Sequence, residues 1–76
     1  MMSRNILLDY IKNKESSSDN NKEAFIAFYI MRLLLETRED YSVTRFKFLI
    51  AKALKKGISN PVLFDIYKEV LEFIGG

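Results

Sequence analysis

Apolar residues recur along this chain at intervals of three and four, the spacing that places side chains on one face of an α-helix. Four segments show this pattern, and polar stretches or turn residues separate them. No segment alternates apolar and polar residues over a useful length, so the pattern predicts no β-strand. It predicts an all-α protein, a compact bundle of four short helices at about 3–14, 21–38, 42–56 and 60–74.

Residues suited to capping stand at the predicted helix ends. Ser3, Ser42 and Asn60 each precede a helical segment, and a proline follows Asn60 at the first helical position. Gly57, after two lysines, predicts a left-handed C-cap for the third helix. The connection at 15–21 has the sequence ESSSDNN. Such residues compete for backbone hydrogen bonds, so this segment predicts a flexible polar loop.

The length of 76 residues predicts a single all-helical domain, 1–76, with a thin stability margin. A chain of this size buries only about 60% of the surface that its unfolded form exposes. Small domains often gain stability from disulfides, metals or oligomerisation. This chain has no cysteine and no histidine, so it forms no disulfide, and a metal would need carboxylate ligands alone. Dense packing or a partner is therefore expected to stabilise it.

Residues that carry catalytic chemistry are sparse. Histidine and cysteine, the common acid–base and nucleophilic groups, are absent, and the three glycines form no phosphate-binding loop. Glu36, Glu39 and Asp40 lie near one predicted helix end, in a pattern typical of solvated charge. We therefore expect no enzyme, no catalytic residue, no metal site and no cofactor.

The N-terminal segment favours a cytoplasmic location. A signal peptide has a basic segment followed by an uninterrupted apolar run. Here Asp9 and Lys12 interrupt the apolar run. The absence of cysteine also fits a reducing compartment.

The second predicted helix is apolar around most of its circumference. Residues 24–36, AFIAFYIMRLLLE, include eleven apolar side chains, and only Lys22, Arg32 and Glu36 mark a narrow polar seam. A membrane span needs about 20 apolar residues, so this run is too short and we expect no membrane contact. Two interpretations remain open: a central core helix wrapped by the other three, or a surface for self-association.

The fourth predicted helix is also broadly apolar, leaving Asp65, Lys68, Glu69 and Glu72 for water. Two such helices carry more apolar surface than one small core needs. This excess favours a homodimer or an obligate protein partner. The side chains predicted for self-association are Phe25, Phe28, Tyr29, Arg32, Leu35, Phe64, Tyr67 and Leu71.

Charge is uneven along the chain, although the total is only +2. Residues 41–57 contain five basic residues and no acidic one. On the third predicted helix these cations gather opposite the core stripe, with Phe48 among them. Single-stranded nucleic acid binding uses an aromatic ring to stack a base and lysines to contact phosphates. Docking on an acidic protein surface and simple solvation are the alternatives. The residues predicted to contact a partner or nucleic acid are Arg45, Phe48, Lys52, Lys55 and Lys56.

A helix-turn-helix arrangement is disfavoured. The turn KGISNP would make the fourth helix the recognition helix, but its exposed charges are net negative and phosphates would repel them. The sequence instead favours a small non-enzymatic binding or regulatory protein, an inhibitor or adaptor that acts as a homodimer through macromolecular interaction. The alternative is a nucleic-acid-binding regulator that uses the basic face of the third helix, and a structural subunit of a larger complex is the third hypothesis.

Overall fold

The structure, a computed structural model, describes residues 2–37 and 42–75 of the chain. Within those residues the chain forms four α-helices and no strand, which confirms the predicted all-α bundle of short helices. Every helix end that falls there agrees with the sequence prediction to within two residues. Glu39, Asp40 and the predicted end of the second helix at residue 38 lie outside the described residues. The helices are α1 (Arg4–Ser16), α2 (Lys22–Thr37), α3 (Val43–Lys56) and α4 (Pro61–Ile74).

The three predicted N-caps are confirmed. The side-chain oxygens of Ser3 and Ser42 accept hydrogen bonds from backbone N–H groups in the first turns of α1 and α3, at 3.2 and 3.1 Å. Asn60 does the same for α4, accepting from two N–H groups at 2.9 and 3.3 Å. A helix starts with N–H groups that have no partner within the helix, so each cap fixes where its helix begins.

Gly57 ends α3 in a different conformation from the predicted left-handed cap. Its φ is +104°, as a glycine cap requires, but its ψ of 131° is extended rather than helical. Its N–H still donates to the carbonyl of Ala53, at 3.1 Å. The extended ψ leads the chain away from α3 toward Asn60, which caps α4 only three residues later. Because this backbone region is open to glycine and strained for other residues, the position still requires glycine.

The helix α1 is longer than predicted, since Glu15 and Ser16 belong to it and not to the polar loop. The reason is a contact distant in sequence. The Glu15 carboxylate accepts two hydrogen bonds from the guanidinium of Arg32 on α2, one of them at 3.2 Å. This bidentate pair holds the last turn of α1 in helical conformation.

The hydrophobic core forms around α2. The helix α1 packs along one side of α2, α4 packs against α2 and α3, and α3 packs mainly on α4 among the described residues. The contribution of α2 to the core is the largest of the four, as the central-helix interpretation predicted, but α3 lies farther from it. The buried apolar side chains are Leu7, Ile11, Ala24, Ala27, Phe28, Met31, Leu35, Phe46, Ile50, Ile66 and Val70.

Candidate functional site

An apolar groove lies between α2 and α3, with α4 as its floor. Its volume is about 430 Å³. Ile26, Ile30 and Leu34 form the α2 wall, while Leu49 and Ala53 belong to the α3 wall. Because α3 packs on α4 rather than along α2, the space between the two walls is left open. We call it the α2–α3 groove; its remaining lining residues are Glu23, Ala27, Met31, Phe46, Ile50, Asn60, Leu63 and Tyr67.

The α2 wall of the groove continues outward as an apolar ridge. Ile26, Ile30 and Leu33 are spaced by four and three residues, so they share one face of the helix, and all three are exposed. We call these three residues the α2 ridge. Isolated exposed apolar residues are ordinary on protein surfaces, but a contiguous group beside an apolar groove is typical of an interface.

One end of the groove carries a polar contact. The side-chain amide of Asn60 donates a hydrogen bond of 2.7 Å to the Glu23 carboxylate. Asn60 therefore caps α4 with its oxygen and contacts the first turn of α2 with its nitrogen. The acidic group of Glu23 also suits the N-terminal end of the α2 dipole. The rest of the groove is lined largely by apolar side chains.

The outward side of α3, which adjoins the groove wall at Leu49, carries the predicted basic face. Arg45, Phe48, Lys52, Lys55 and Lys56 are all exposed on one side of the helix, as the helical spacing predicted. The Phe48 side chain is 67% exposed, more than any other large apolar side chain among the described residues. It borders a shallow, open hollow together with Ala51, Lys52 and Lys55.

The residues predicted for self-association are distributed over different environments. Phe28 and Leu35 are buried in the core of the single chain, which removes them from any surface that a second copy could contact. Arg32 is engaged with Glu15 and with Glu36, the latter at 3.1 Å. Phe25 and Phe64 are exposed, and Tyr29, Tyr67 and Leu71 are partly buried. Self-association itself stays a prediction.

The exposure of the α2 ridge and of Leu49 was not predicted from the sequence. One sequence signal points to the ridge. Ala24 and Ala27, the smallest side chains of α2, are both buried. Small side chains let helices approach closely, so the face that carries the alanines turns inward. The ridge lies on the other side. Leu49 gives no comparable signal, because its spacing from Phe46 and Ala53 predicts that it belongs to the core stripe of the third helix. It is nevertheless exposed, because α3 packs mainly on α4.

Ionisable groups with displaced pKa values lie away from the groove, on the side of α1. Burial, followed by a 3.1 Å hydrogen bond to Glu69 and the charge of its carboxylate, raises the pKa of Tyr10 to about 12. The ammonium group of Lys14 lowers the pKa of Glu69. Hydrogen bonds to Glu15 and Glu36 raise the pKa of Arg32. None of these groups lines the groove, and each has a structural partner, so their shifts report stabilising contacts within the chain.

Comparisons with known proteins assign no family to the chain. No protein family, curated protein or solved structure matches the chain significantly. Within residues 2–37 and 42–75, no group of three or more acidic, histidine or cysteine side chains is arranged to hold a metal ion. No helix in the same part of the chain is long and apolar enough to cross a membrane.

Proposed function

We propose that the chain is a small non-enzymatic binding protein that acts in the cytoplasm as an inhibitor or adaptor. In this proposal the basic face of α3 docks on an acidic surface of a protein partner. The observation that carries it is the exposure of Phe48, 67%, in the middle of a helix face whose charged residues are all basic.

The energetics of Phe48 favour a contact surface over simple solvation. Burying a phenylalanine side chain that was exposed yields roughly 1.5–3 kcal/mol, and aromatic residues at the centre of an interface often contribute most of its affinity. The surrounding lysines would speed association with an acidic partner and select its orientation. An aromatic anchor and a basic rim are therefore present together on one helix.

A single-stranded nucleic acid is the second candidate partner. The hollow beside Phe48 favours it, because a base stacked on the ring would lie next to Lys52 and Lys55, which could contact flanking phosphates. The protein partner is preferred because a single ring on one short helix offers one stacking position. Sequence-tolerant nucleic acid binding usually uses several rings along a basic groove.

Affinity capture from the native host tests the proposal. Wild-type protein and the Phe48→Ala variant serve as bait, followed by identification of both the protein and the nucleic acid that each retains. We expect a protein retained by the wild type to be lost with Phe48→Ala. In titrations with the purified partner, the variant should bind about 10- to 100-fold more weakly.

Phe64→Ala is the control, since Phe64 is an exposed phenylalanine on a different helix, α4. It should retain the partner. Circular dichroism must show both variants folded. The dependence of affinity on salt concentration distinguishes a nucleic acid partner from a protein partner. Affinity for a single-stranded oligonucleotide falls steeply with salt concentration, because binding releases counterions. If the retained molecule is nucleic acid and shows that dependence, the second candidate replaces the first. Equal retention of one partner by wild type and Phe48→Ala would remove the basic face from the proposal.

A further inference from the structure

The α2–α3 groove has the length of a short helix. Its lining residues on α2 extend from Glu23 to Leu34, and these positions are about 16 Å apart along the helix axis. A helix of about three turns has the same length and presents apolar side chains on one face at intervals of three and four residues. The groove therefore fits the apolar face of an amphipathic helix, which is a recurring mode of peptide recognition.

A helical occupant suits the walls of the groove better than an extended one. Both walls are α-helices, whose interior N–H and C=O groups are already paired within each helix. An extended peptide would place its own backbone groups against apolar side chains without partners, which costs free energy. A helix satisfies its backbone groups internally, so it needs to bury only apolar side chains.

The two edges of the groove differ in charge. On the α2 side, the exposed edge is the apolar α2 ridge. On the α3 side, Lys52 follows the groove-lining Leu49 by three positions, so the two side chains are neighbours on the helix surface. Lys56 follows Ala53 at the same interval. Both lysines are exposed, and within residues 2–37 and 42–75 neither is paired with a carboxylate. We call these two lysines the α3 rim.

The charge of Glu23 limits where an occupant can carry acidic residues. Glu23 lines the groove from the α2 side, and its carboxylate accepts a hydrogen bond of 2.7 Å from Asn60. Acidic residues that face α2 would be repelled by this carboxylate, whereas acidic residues that face α3 would be attracted by the α3 rim. The complementary occupant therefore has an apolar stripe with acidic residues along one flank.

We propose that the α2–α3 groove binds an acidic amphipathic helix of the protein partner, with its apolar face between α2 and α3 and its acidic flank against the α3 rim. This inference deepens the proposed function and rests on the acidic protein partner named there. It adds a second contact to that of Phe48 and states the form of the partner's surface. One partner can cover both contacts, because the basic face adjoins the groove wall at Leu49.

Three synthetic peptides test the charge preference. Each has about 16 residues, a length at which alanine-rich sequences begin to form helices. All carry the same stripe of leucines, and one flank carries glutamate, glutamine or lysine. Fluorescence anisotropy at low salt should show the glutamate peptide binding roughly tenfold more tightly than the lysine peptide, with the glutamine peptide between them. Equal affinities, or no binding of the glutamate peptide at about 1 mM, would overturn the proposal.

Reversing the charge of the α3 rim should reverse this preference. In the double variant Lys52→Glu, Lys56→Glu, the lysine peptide should bind roughly tenfold more tightly than the glutamate peptide. The control is the double variant Lys55→Glu, Lys68→Glu, which changes the net charge equally. Lys55 borders the hollow beside Phe48 and Lys68 lies on α4, so the control should keep the original order. An equal reversal in the control would assign the preference to net charge and overturn the role of the α3 rim.

Substitution of Ile30 by glutamate tests the apolar contact, with the glutamine peptide as the probe because its flank is uncharged. Ile30 on α2 is 53% exposed and Ile6 on α1 is 55% exposed, while only Ile30 lines the groove. Ile30→Glu should weaken binding at least tenfold, because it places a carboxylate among apolar side chains. Ile6→Glu, the matched control, should change it by less than about threefold.

Leu49→Glu provides a second variant, on the other wall of the groove. It should also weaken the glutamine peptide at least tenfold. Circular dichroism on each variant checks that the helices are retained, and Leu49→Glu still tests the contact if Ile30→Glu fails to fold. Unchanged affinity in the folded groove variants would overturn the groove as the binding site.

The captured partner distinguishes this inference from the proposed function. Ile30→Glu as bait should lose the protein that the wild type retains. Phe48→Ala should change the affinity for the glutamate peptide by less than about threefold, since Phe48 does not line the groove. Loss of the partner with Phe48→Ala but not with Ile30→Glu would overturn the groove inference and leave the basic face in place. Loss with Ile30→Glu but not with Phe48→Ala would support the groove and remove the basic face.

Discussion

The two sides of α2 differ in how they are covered. On the closed side, α1 packs along the helix and specific polar contacts join the two. Arg32 binds Glu15, and Arg4 donates a hydrogen bond to the carbonyl of Leu35 in the last turn of α2. On the open side, the α2–α3 groove separates the walls, and the contact between Asn60 and Glu23 lies at its end.

The difference shows that polar and apolar contacts stabilise a small protein in different ways. A charged hydrogen bond requires one partner in one geometry, so the closed side is specified within the chain. Apolar burial has no direction and depends mainly on area. The open side is therefore suited to any apolar surface of matching shape, including the same surface on a second molecule.

The largest expected effect comes from removing a side chain on the closed side. Leu35 is fully buried, so Leu35→Ala should lower the free energy of unfolding by about 3 kcal/mol. That is a large part of the roughly 4–11 kcal/mol typical of a domain of this length. Ile30→Ala on the open side should cost less than about 0.5 kcal/mol in dilute protein. Urea denaturation monitored by circular dichroism measures both.

Protein concentration sharpens this comparison. If a second copy covers the open side, raising the concentration should enlarge the cost of Ile30→Ala, because a dimer is stabilised by mass action, and should leave the difference for Leu35→Ala nearly unchanged. A cost of Ile30→Ala as large as that of Leu35→Ala in dilute protein would mean that the open side is already closed within the monomer.

A smaller effect is expected at the end of the groove, where Asn60 acts both as a cap and as a donor to Glu23. Asn60→Ala removes both contacts and should cost about 1–2 kcal/mol. Asn60→Ser keeps a capping oxygen and removes the side-chain amide, so it should cost about 0.5 kcal/mol. Thermal unfolding of the two variants separates the roles. Equal costs would assign the stabilisation to the contact with Glu23 and not to the cap.

The smallest expected effect is a pH dependence that belongs to the closed side. The pKa of Glu69 in the folded protein lies below its ordinary value of 4.5, because Lys14 stabilises the carboxylate. The resulting stability is present above pH 4.5 and is lost as the pH falls through the lowered pKa. The contact is largely solvated, so we expect a change of about 0.5 kcal/mol or less. Urea denaturation between pH 3 and pH 6 measures it.

Two variants test the assignment of this pH dependence. Glu69→Gln should reduce the change in the free energy of unfolding between pH 3 and pH 6. Tyr10 gives a pH dependence of the opposite sign at alkaline pH, because its pKa in the folded protein is raised to about 12. The stability that it contributes is present below pH 10 and is lost as the pH rises through 12. Tyr10→Phe should remove that loss while keeping the ring stacked on Phe73 at 3.7 Å. An unchanged acid profile in Glu69→Gln would contradict the role of the Lys14 contact.

The helices and their starts could be predicted from sequence because their causes are local. Ser3, Ser42 and Asn60 cap helices through N–H groups two or three residues away, and the spacing of apolar residues reports one face directly. The basic face of α3 follows from the same spacing. The last turn of α1 was missed because its cause, the contact from Glu15 to Arg32, spans 17 residues.

The sequence by itself determined four helices, their caps, and an excess of apolar surface on α2. It left open which part of that surface is buried. Almost every face of α2 is apolar, so the spacing of apolar residues does not identify one buried face. Only the tertiary structure decided that Phe28 and Leu35 lie inside while Ile26, Ile30 and Leu33 lie outside. The physical reason lies in how the helices pack: among the described residues, α1 and α4 pack against α2, while α3 packs mainly on α4 and leaves part of α2 uncovered.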